Sequence, residues 1–212
     1  WAIPKPGDPS ANLIRLEDWD CFFLACVFGW LERSTKHRRF RVAYLEVPRK
    51  NGKSVLAAIV GLYGLAADGE FGAEIYSGAG SEKQAWEVFR PAKQMAERTP
   101  AFLSHYGVQV NAKGLVILAN GSRFEPIIGK PGDGASPSMA IIDEYHEHPD
   151  ASLYDTMLTG MGARQQPLAL IITTAGSDIG GPCYALHQQM QAMLTGTQPD
   201  DRLFALMYGL DD

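Results

Sequence analysis

The sequence lacks the features of a membrane protein, of a zinc protein and of a strongly basic protein that coats nucleic acid. No apolar run reaches the ~18 residues that a membrane-spanning helix needs. The three cysteines, Cys21, Cys26 and Cys183, fit no zinc spacing, and their odd number favours reduced thiols in an intracellular protein. The net charge of −5 excludes a domain that binds nucleic acid over its whole surface. One segment, 33–41 (RSTKHRRFR), is locally basic, and its pattern leaves open whether it meets DNA or water.

Strand and helix patterns alternate along the chain. Its 212 residues, 46% of them hydrophobic, suffice for one domain with a sizeable core. The alternation predicts an α/β fold with a mostly parallel sheet between helices. The predicted strands lie at 41–47, 73–79, 139–143, 168–176 and 202–210, and the predicted helices at 16–33, 54–67, 81–98, 151–161 and 184–194. An Asn-Gly pair between apolar runs, at Asn120 and Gly121, predicts an antiparallel hairpin excursion. The Gly/Pro/Ser-rich stretch at 129–138 is a predicted loop.

The segment VPRKNGKS, 47–54, has the composition of a phosphate-binding loop between a strand and a helix. Such a loop needs backbone N–H groups at a helix N-terminus, a lysine for the β and γ phosphates and a hydroxyl for Mg²⁺. Residues 51–54, Asn-Gly-Lys-Ser, supply all of these. The full motif would have Gly at the position of Val47. The pattern predicts a nucleotide site built on Lys53 and Ser54.

The segment MAIIDEYHEH, 139–148, is an apolar strand that ends in acids. In a parallel sheet, ligands bind at the carboxyl ends of the strands. Asp143 at that edge would hold the Mg²⁺ shell, and Glu144 would orient and deprotonate an attacking water. A strand that simply ends in solvated acids is the alternative interpretation.

A third apolar strand, 168–176, ends in Thr173 and Thr174. If this strand neighbours the Asp143 strand, the two hydroxyls lie near the γ phosphate and can report hydrolysis to the rest of the domain. Threonine is also common in strands for its β propensity alone.

Together, these segments resemble the ATPase domain of the large terminase subunit of tailed bacteriophages, most closely the HK97-like type. The resemblance runs over nearly the whole chain, and its most specific parts are PRKNGKS, IIDEYHEH and ITTAG. It implies a P-loop NTPase (RecA/ASCE-like) three-layer sandwich with a mostly parallel central sheet and an antiparallel hairpin excursion. It also implies Mg²⁺-dependent ATP hydrolysis that drives double-stranded viral DNA into a procapsid.

The resemblance also implies roles for individual residues. Lys53 would bind phosphate, and Ser54 and Asp143 would bind Mg²⁺. Glu144 would be the catalytic base, and Arg49 would be a cis arginine near the γ phosphate. Thr173 and Thr174 would form the coupling motif. The nucleotide-binding residues would be Arg49, Lys50, Asn51, Gly52, Lys53, Ser54, Val55, Trp19 and Asp20.

Two positions depart from the family pattern. The family carries a Trp-Gln pair whose Gln reads adenine, whereas Asp20 follows Trp19 here. An aspartate could instead accept a hydrogen bond from the adenine amino group. Related motors also place an arginine before the acidic strand to act on a neighbour's nucleotide. The candidates for that trans residue are Lys130, Arg123 and Arg98.

The implied partners are double-stranded DNA, the portal protein, the small terminase subunit and other copies of the chain. A ring, commonly a pentamer, is expected during packaging, and a monomer in isolation remains open. The implied location is the host cytoplasm, transiently at the procapsid portal vertex. The chain is expected to be one ATPase domain, with an adenine-side segment at 1–40, a P-loop core at 41–178 and a helix and strand at 179–212 that lead to a missing nuclease domain. Nuclease activity is therefore not expected in this chain.

The main alternative is half of a DExH-type helicase or another P-loop nucleic-acid motor, because 143–146 also spells a DExH box. A helicase of that kind needs a second RecA-like domain that supplies arginines. A docking module with a decayed nucleotide site would have lost Lys53, Asp143 or Glu144, and all three are present.

Overall fold

The structure, a computed structural model, describes residues 13–128 and 135–209. The helices are α1 (Asp18–Gly29), α2 (Lys53–Ala66), α3 (Glu82–Glu97), α4 (Pro100–Tyr106), α5 (Ser152–Gly160) and α6 (Pro182–Leu194). The strands are β1 (Val42–Glu46), β2 (Glu74–Ala79), β3 (Val108–Val110), β4 (Leu115–Ile117), β5 (Ser122–Ile128), β6 (Met139–Asp143), β7 (Leu168–Thr173) and β8 (Leu203–Met207). Within these ranges, 3₁₀ turns lie at Tyr145–Glu147 and Met161–Ala163.

The eight strands of the described residues form one sheet in the order β3-β4-β5-β2-β6-β7-β1-β8. The six strands from β5 to β8 in that order pair in parallel, and β3 and β4 add an antiparallel extension at one edge. Strand β7 lies between β1 and β6, so the strand before the phosphate loop and the strand that ends in acids are separated by one strand. Their carboxyl ends meet at the same edge of the sheet.

The central strands are buried on both faces. In β6, Met139 and Ile141 face the core that helices α1 to α3 cover, whereas Ala140 and Ile142 face α5 and α6. Because side chains alternate along a strand, two covered faces make the strand apolar at every position. The result is three layers, helices, sheet and helices, with one core on each side of the sheet.

Two glycines allow helix α2 to lie close to the sheet. A Cβ added to Gly61 would lie 2.5 Å from the Phe124 ring, and one added to Gly64 would lie 2.8 Å from Met139. Phe124 and Met139 are buried, so neither side chain can move into solvent. Close approach of α2 fixes the position of the phosphate loop that precedes it.

We expect Gly61→Ala to lower the free energy of unfolding by about 1–3 kcal/mol, because overpacking costs more than alanine gains in helix propensity. Chemical denaturation measures the change. Gly29→Ala, at the end of α1 with nothing within 4 Å of the added Cβ, is the matched control and should leave stability unchanged or slightly raised. Equal effects of the two substitutions would show that the approach of α2 is not tight.

The predicted three-layer P-loop fold is confirmed, including the hairpin, in which β4 and β5 flank Asn120 and Gly121. The predicted helix at 16–33 is shorter, because α1 ends at Gly29. Helix α4 and strand β3 were not predicted individually. Part of the predicted loop at 129–138 lies outside the described residues. Among the helices of the described ranges, none is both long and apolar enough to cross a membrane.

Most arginines of the basic segment 33–41 are engaged within the domain. Arg38 is buried and donates to Asp68 at 2.7 Å, Arg39 pairs with Asp201, and Arg41 donates to the Gln165 carbonyl at 2.6 Å. Burial raises the pKa of Asp68 to about 6 even though Arg38 opposes the shift. The segment therefore uses much of its charge to attach its loop to the domain, which leaves less for DNA.

Candidate active site

The phosphate loop begins as a continuation of β1. Val47 is buried, and its N–H donates to the Thr173 carbonyl at 3.1 Å, as a further rung of the β1–β7 pairing. This explains why valine can occupy the position where the full motif has glycine: the residue is extended and packed in the core. The turn follows at 48–52, where Lys50 and Gly52 have φ values of 71° and 73°. Helix α2 then begins at Lys53.

Four residues predicted to carry the chemistry form two side-chain pairs at hydrogen-bond distance. The Ser54 hydroxyl donates to Asp143 Oδ2 at 3.2 Å, across 89 positions of sequence. Lys53 Nζ lies 2.8 Å from Glu144 Oε1, with side chains that are 8% and 24% exposed. The fold therefore joins the start of α2 to the end of β6.

Asp143 is 2% exposed, and its two oxygens accept from the Ser54 hydroxyl and from the Glu144 N–H, the latter at 2.8 Å. Burial, with a smaller effect from the Glu144 charge, raises its pKa to about 6. A hydroxyl and a carboxylate in contact are the oxygen ligands that Mg²⁺ takes from proteins, together with water and phosphate. Ser54 and Asp143 fit a Mg²⁺ ion in their chemistry.

The backbone at Glu144 is in the left-handed region, with φ of 49°. This conformation is uncommon outside glycine and costs free energy, so it persists only where neighbouring contacts enforce it. Two such contacts hold the chain on either side: Asp143 Oδ1 accepts from the Glu144 N–H, and the buried His148 ring lies with Nε2 3.1 Å from the Asp143 carbonyl. Burial lowers the pKa of His148, which favours the neutral ring. The turn directs the Glu144 side chain toward Lys53.

Strand β7 does neighbour β6, as the prediction for the two threonines required, with Ile172 opposite Asp143. Thr173 and Thr174 are buried, and the Thr173 hydroxyl donates to the Thr174 carbonyl at 2.9 Å. His146 contacts both hydroxyls, with Nδ1 3.1 Å from Thr173 Oγ1. Pattern reasoning missed His146 and His148, although the sequence HEH after the acids was a visible signal.

A cleft of about 600 Å³ lies beside the phosphate loop. Trp19 and Asp20, from the start of α1, line it together with residues of the loop and of α2. Asp20 Oδ2 accepts from the Glu17 N–H at 2.9 Å, and burial raises the pKa of this carboxyl. The fold thus brings Trp19 and Asp20, the predicted adenine-side residues, to the predicted phosphate-binding segment. Lys50, Asn51, Gly52 and Val55 also line this cleft.

The predicted arginines differ in their surroundings. Arg49 is exposed on the loop and forms no hydrogen bond or ion pair with another residue of the described ranges. Arg123 donates to the Tyr76 hydroxyl at 2.9 Å and lies 3.1 Å from Glu74. Because Glu74 begins β2, Arg123 lies at the edge of the sheet opposite the site. Arg98 is exposed at the C-cap of α3, and Lys130 lies outside the described residues.

Sequence comparison finds a phage large terminase subunit and a bacterial protein that are similar to the chain. The large terminase subunit of Enterobacteria phage HK97 is 30% identical over 142 residues, which are 65% of this chain and 28% of that protein. Protein YmfN of Escherichia coli strain K12 is 54% identical over 83 residues, 39% of this chain and 18% of that protein. The matched segments therefore span less than a third of the length of these relatives.

Structural comparison gives the same relationship. The crystal structure of the HK97 large terminase superposes with a TM-score of 0.76 at 25% identity, over 92% of this chain and 40% of that one. The large terminase of a thermophilic bacteriophage, solved in complex with ADP, has a TM-score of 0.57 at 13% identity, over 88% of this chain and 44% of that one. This second likeness shows the fold alone.

The sequence model of one family, described as terminase large subunit, ATPase domain, matches residues 18–192. This range includes the phosphate loop, the acidic strand and the two threonines, and it favours the terminase over the helicase interpretation. The chain belongs to the terminase large subunit family and contains its ATPase domain.

Proposed function

We propose that this domain is the ATP-hydrolysing motor of a large terminase that moves double-stranded DNA into a procapsid. The observation that carries the proposal is the group formed by Lys53, Ser54, Asp143 and Glu144 at the carboxyl edge of the sheet. A lysine and a hydroxyl at a helix N-terminus, opposite two acids, form the arrangement that phosphoryl transfer to water requires. The ADP complex of the thermophilic phage terminase supports a nucleotide as the ligand of this fold.

In the proposed reaction, Lys53 leaves Glu144 and binds the β and γ phosphates. Glu144 accepts a proton from water, the water oxygen bonds to the γ phosphorus, and the bond from that phosphorus to the bridging oxygen breaks to leave ADP. Ser54 and Asp143 would hold Mg²⁺, whose charge, when it is bound, neutralises the phosphate oxygens. Arg49 would add positive charge in cis as the γ phosphate leaves.

The cleft bordered by Trp19 and Asp20 would hold the adenine ring of ATP. One Asp20 oxygen already accepts from Glu17, and the other would accept from the adenine amino group. We therefore expect Asp20→Ala to reduce the preference for ATP over GTP in a competition assay. An unchanged preference would remove Asp20 from this role.

Coupling would run through Thr173 and Thr174, which contact the turn that follows Glu144. A trans residue from a neighbouring copy would complete the site in a ring. Arg123 would first have to leave Tyr76 and Glu74. The candidates for the trans residue stay Lys130, Arg123 and Arg98. Alanine substitution at the true trans residue should lower hydrolysis in the assembled motor and leave nucleotide binding unchanged.

The wider proposal follows the family. The domain would act in the host cytoplasm, at the portal vertex of a procapsid, with the portal protein, the small subunit and other copies in a ring. Residues 1–40 would contribute the adenine side of the site, and residues 41–178 would form the P-loop core. Residues 179–212 would form the connection toward a nuclease domain.

The test uses the full-length subunit with ATP, procapsids and double-stranded DNA. DNA that becomes resistant to added nuclease measures packaging, and ATP hydrolysis is followed in parallel. We expect both to require Mg²⁺ and to be lost in Lys53→Ala, whereas Lys83→Ala, an exposed lysine on α3, keeps both. Hydrolysis stimulated only by single strands, with unwinding of duplexes, would overturn the packaging proposal in favour of a helicase.

A further inference from the structure

His146 lies on the 3₁₀ turn that directly follows the two acids, and it joins that turn to strand β7. Its ring is 11% exposed, and its backbone N–H donates to Thr173 Oγ1 at 3.2 Å. Its Nδ1 lies 3.1 Å from the same hydroxyl and 3.3 Å from Glu144 Oε2. A single ring nitrogen therefore lies between the proposed base and the proposed coupling threonine.

The hydrogen-bond pattern assigns the proton on this ring. The Thr173 hydroxyl has one proton, and it donates that proton to the Thr174 carbonyl at 2.9 Å. Toward His146 it can therefore only accept, so Nδ1 carries the hydrogen. This Nδ1–H can be shared between the Thr173 hydroxyl and the Glu144 carboxylate.

The two Glu144 oxygens have different surroundings. Oε1 lies 2.8 Å from Lys53 Nζ, whereas Oε2 is buried and accepts no well-aligned hydrogen bond from the described residues. An unsatisfied buried carboxylate oxygen is costly. A small rotation of the His146 ring, which already lies 3.3 Å away, would satisfy it.

We propose that His146 is a positioning residue for Glu144. The inference rests on the proposed function, in which Lys53 transfers to phosphate and Glu144 acts as the base. Once Lys53 leaves Oε1, Nδ1–H holds Oε2, so that Oε1 is directed at the water. Because the same nitrogen contacts Thr173, a shift of β7 changes the orientation of the base.

The test compares His146→Ala, His146→Asn and His146→Gln in the full-length subunit. The amide nitrogen of Asn can occupy the Nδ1 position, whereas that of Gln reaches the Nε2 position. We expect His146→Ala to lower kcat about 10- to 100-fold through misplacement of the base, with the Kd for ATP within about twofold of the wild type. Asn should restore most of the rate and Gln little of it.

Controls separate this inference from the proposed function. His105→Ala, an exposed histidine on α4, should leave kcat unchanged, and a thermal melt of every variant checks folding. Adding His146→Ala to Glu144→Gln should cause no further loss. A His146→Ala rate close to the wild type, equal rates for Asn and Gln, or a parallel loss of binding and kcat would each overturn the positioning role. Full activity in Lys53→Ala and Glu144→Gln would instead overturn the proposed function itself.

Discussion

Replacing Glu144 with Gln is expected to reduce ATP turnover about 10³-fold while ATP binding stays the same or becomes tighter. General-base catalysis contributes about 10²–10⁴-fold, and the amide cannot accept the proton from water. Binding should not suffer, because Glu144 Oε1 lies 2.8 Å from Lys53 and so competes with phosphate for the ammonium group. An uncharged amide competes less well. Single-turnover hydrolysis and the Kd for a fluorescent ATP analogue measure the two effects separately.

Two companion variants make this result specific. Lys53→Ala should lose binding and turnover together, because the ammonium group that neutralises the phosphates is gone. Glu82→Gln, the same change at an exposed position in the first turn of α3, should leave both unchanged. Equal losses of binding and turnover in Glu144→Gln would assign Glu144 to the nucleotide cradle instead of to the base.

Local patterns were sufficient to predict the site where each segment carries its own signal. The strand, turn and helix around Lys53 and the apolar strand that ends in Asp143 are short-range features, and their residue types follow from a sheet buried on both faces. A parallel sheet brings carboxyl ends of strands to one edge, so the contact between Ser54 and Asp143 followed from topology. The roles of these residues stay predictions.

The surroundings that long-range contacts give to a residue could not be predicted in this way. His146 gains its surroundings from Thr173, 27 positions away, so its place beside the base depends on the order of β6 and β7. That valine can replace glycine at position 47 of the phosphate loop likewise depends on the hydrogen bond from its N–H to the Thr173 carbonyl. Arg38 is in a basic run, yet it is buried because Asp68 lies opposite. Helix α4 has only seven residues and no buried side chain, so it carries little periodic signal.

Asp143→Asn is expected to abolish Mg²⁺-dependent turnover and at the same time to stabilise the domain. Burial and the Glu144 charge raise the pKa of Asp143 from 3.8 to about 6. Between these values the folded state binds more protons than the unfolded state, so the stability of the wild type falls as pH rises from about 4 to about 6. Above pH 6 Asp143 is ionised in the folded state, and the full destabilisation caused by its buried charge is present. A shift of about two units corresponds to about 3 kcal/mol as an upper bound, and we expect a gain of about 1–3 kcal/mol at pH 7.5.

Asparagine is the suitable replacement because its shape keeps the local hydrogen bonds. Its Oδ1 can still accept from the Glu144 N–H, and its Nδ2 can donate to the Ser54 hydroxyl, which then acts as acceptor. Activity should nevertheless be lost, because an amide is a poor substitute for a carboxylate in a Mg²⁺ shell. Buried charge kept for function at the expense of stability is a common compromise in active sites.

Urea denaturation in EDTA, at pH 4 and at pH 7.5, tests the stability prediction. The difference between Asp143→Asn and the wild type should be large at pH 7.5 and should shrink toward pH 4, where the wild-type carboxyl is protonated. Asp68 also has a pKa raised to about 6, but it titrates in both proteins and cancels in the difference. Asp155→Asn, on the exposed side of α5, should change stability by less than about 0.5 kcal/mol. A destabilised Asp143→Asn variant would show that Lys53 and Ser54 compensate the carboxylate fully, and that the site stores no such cost.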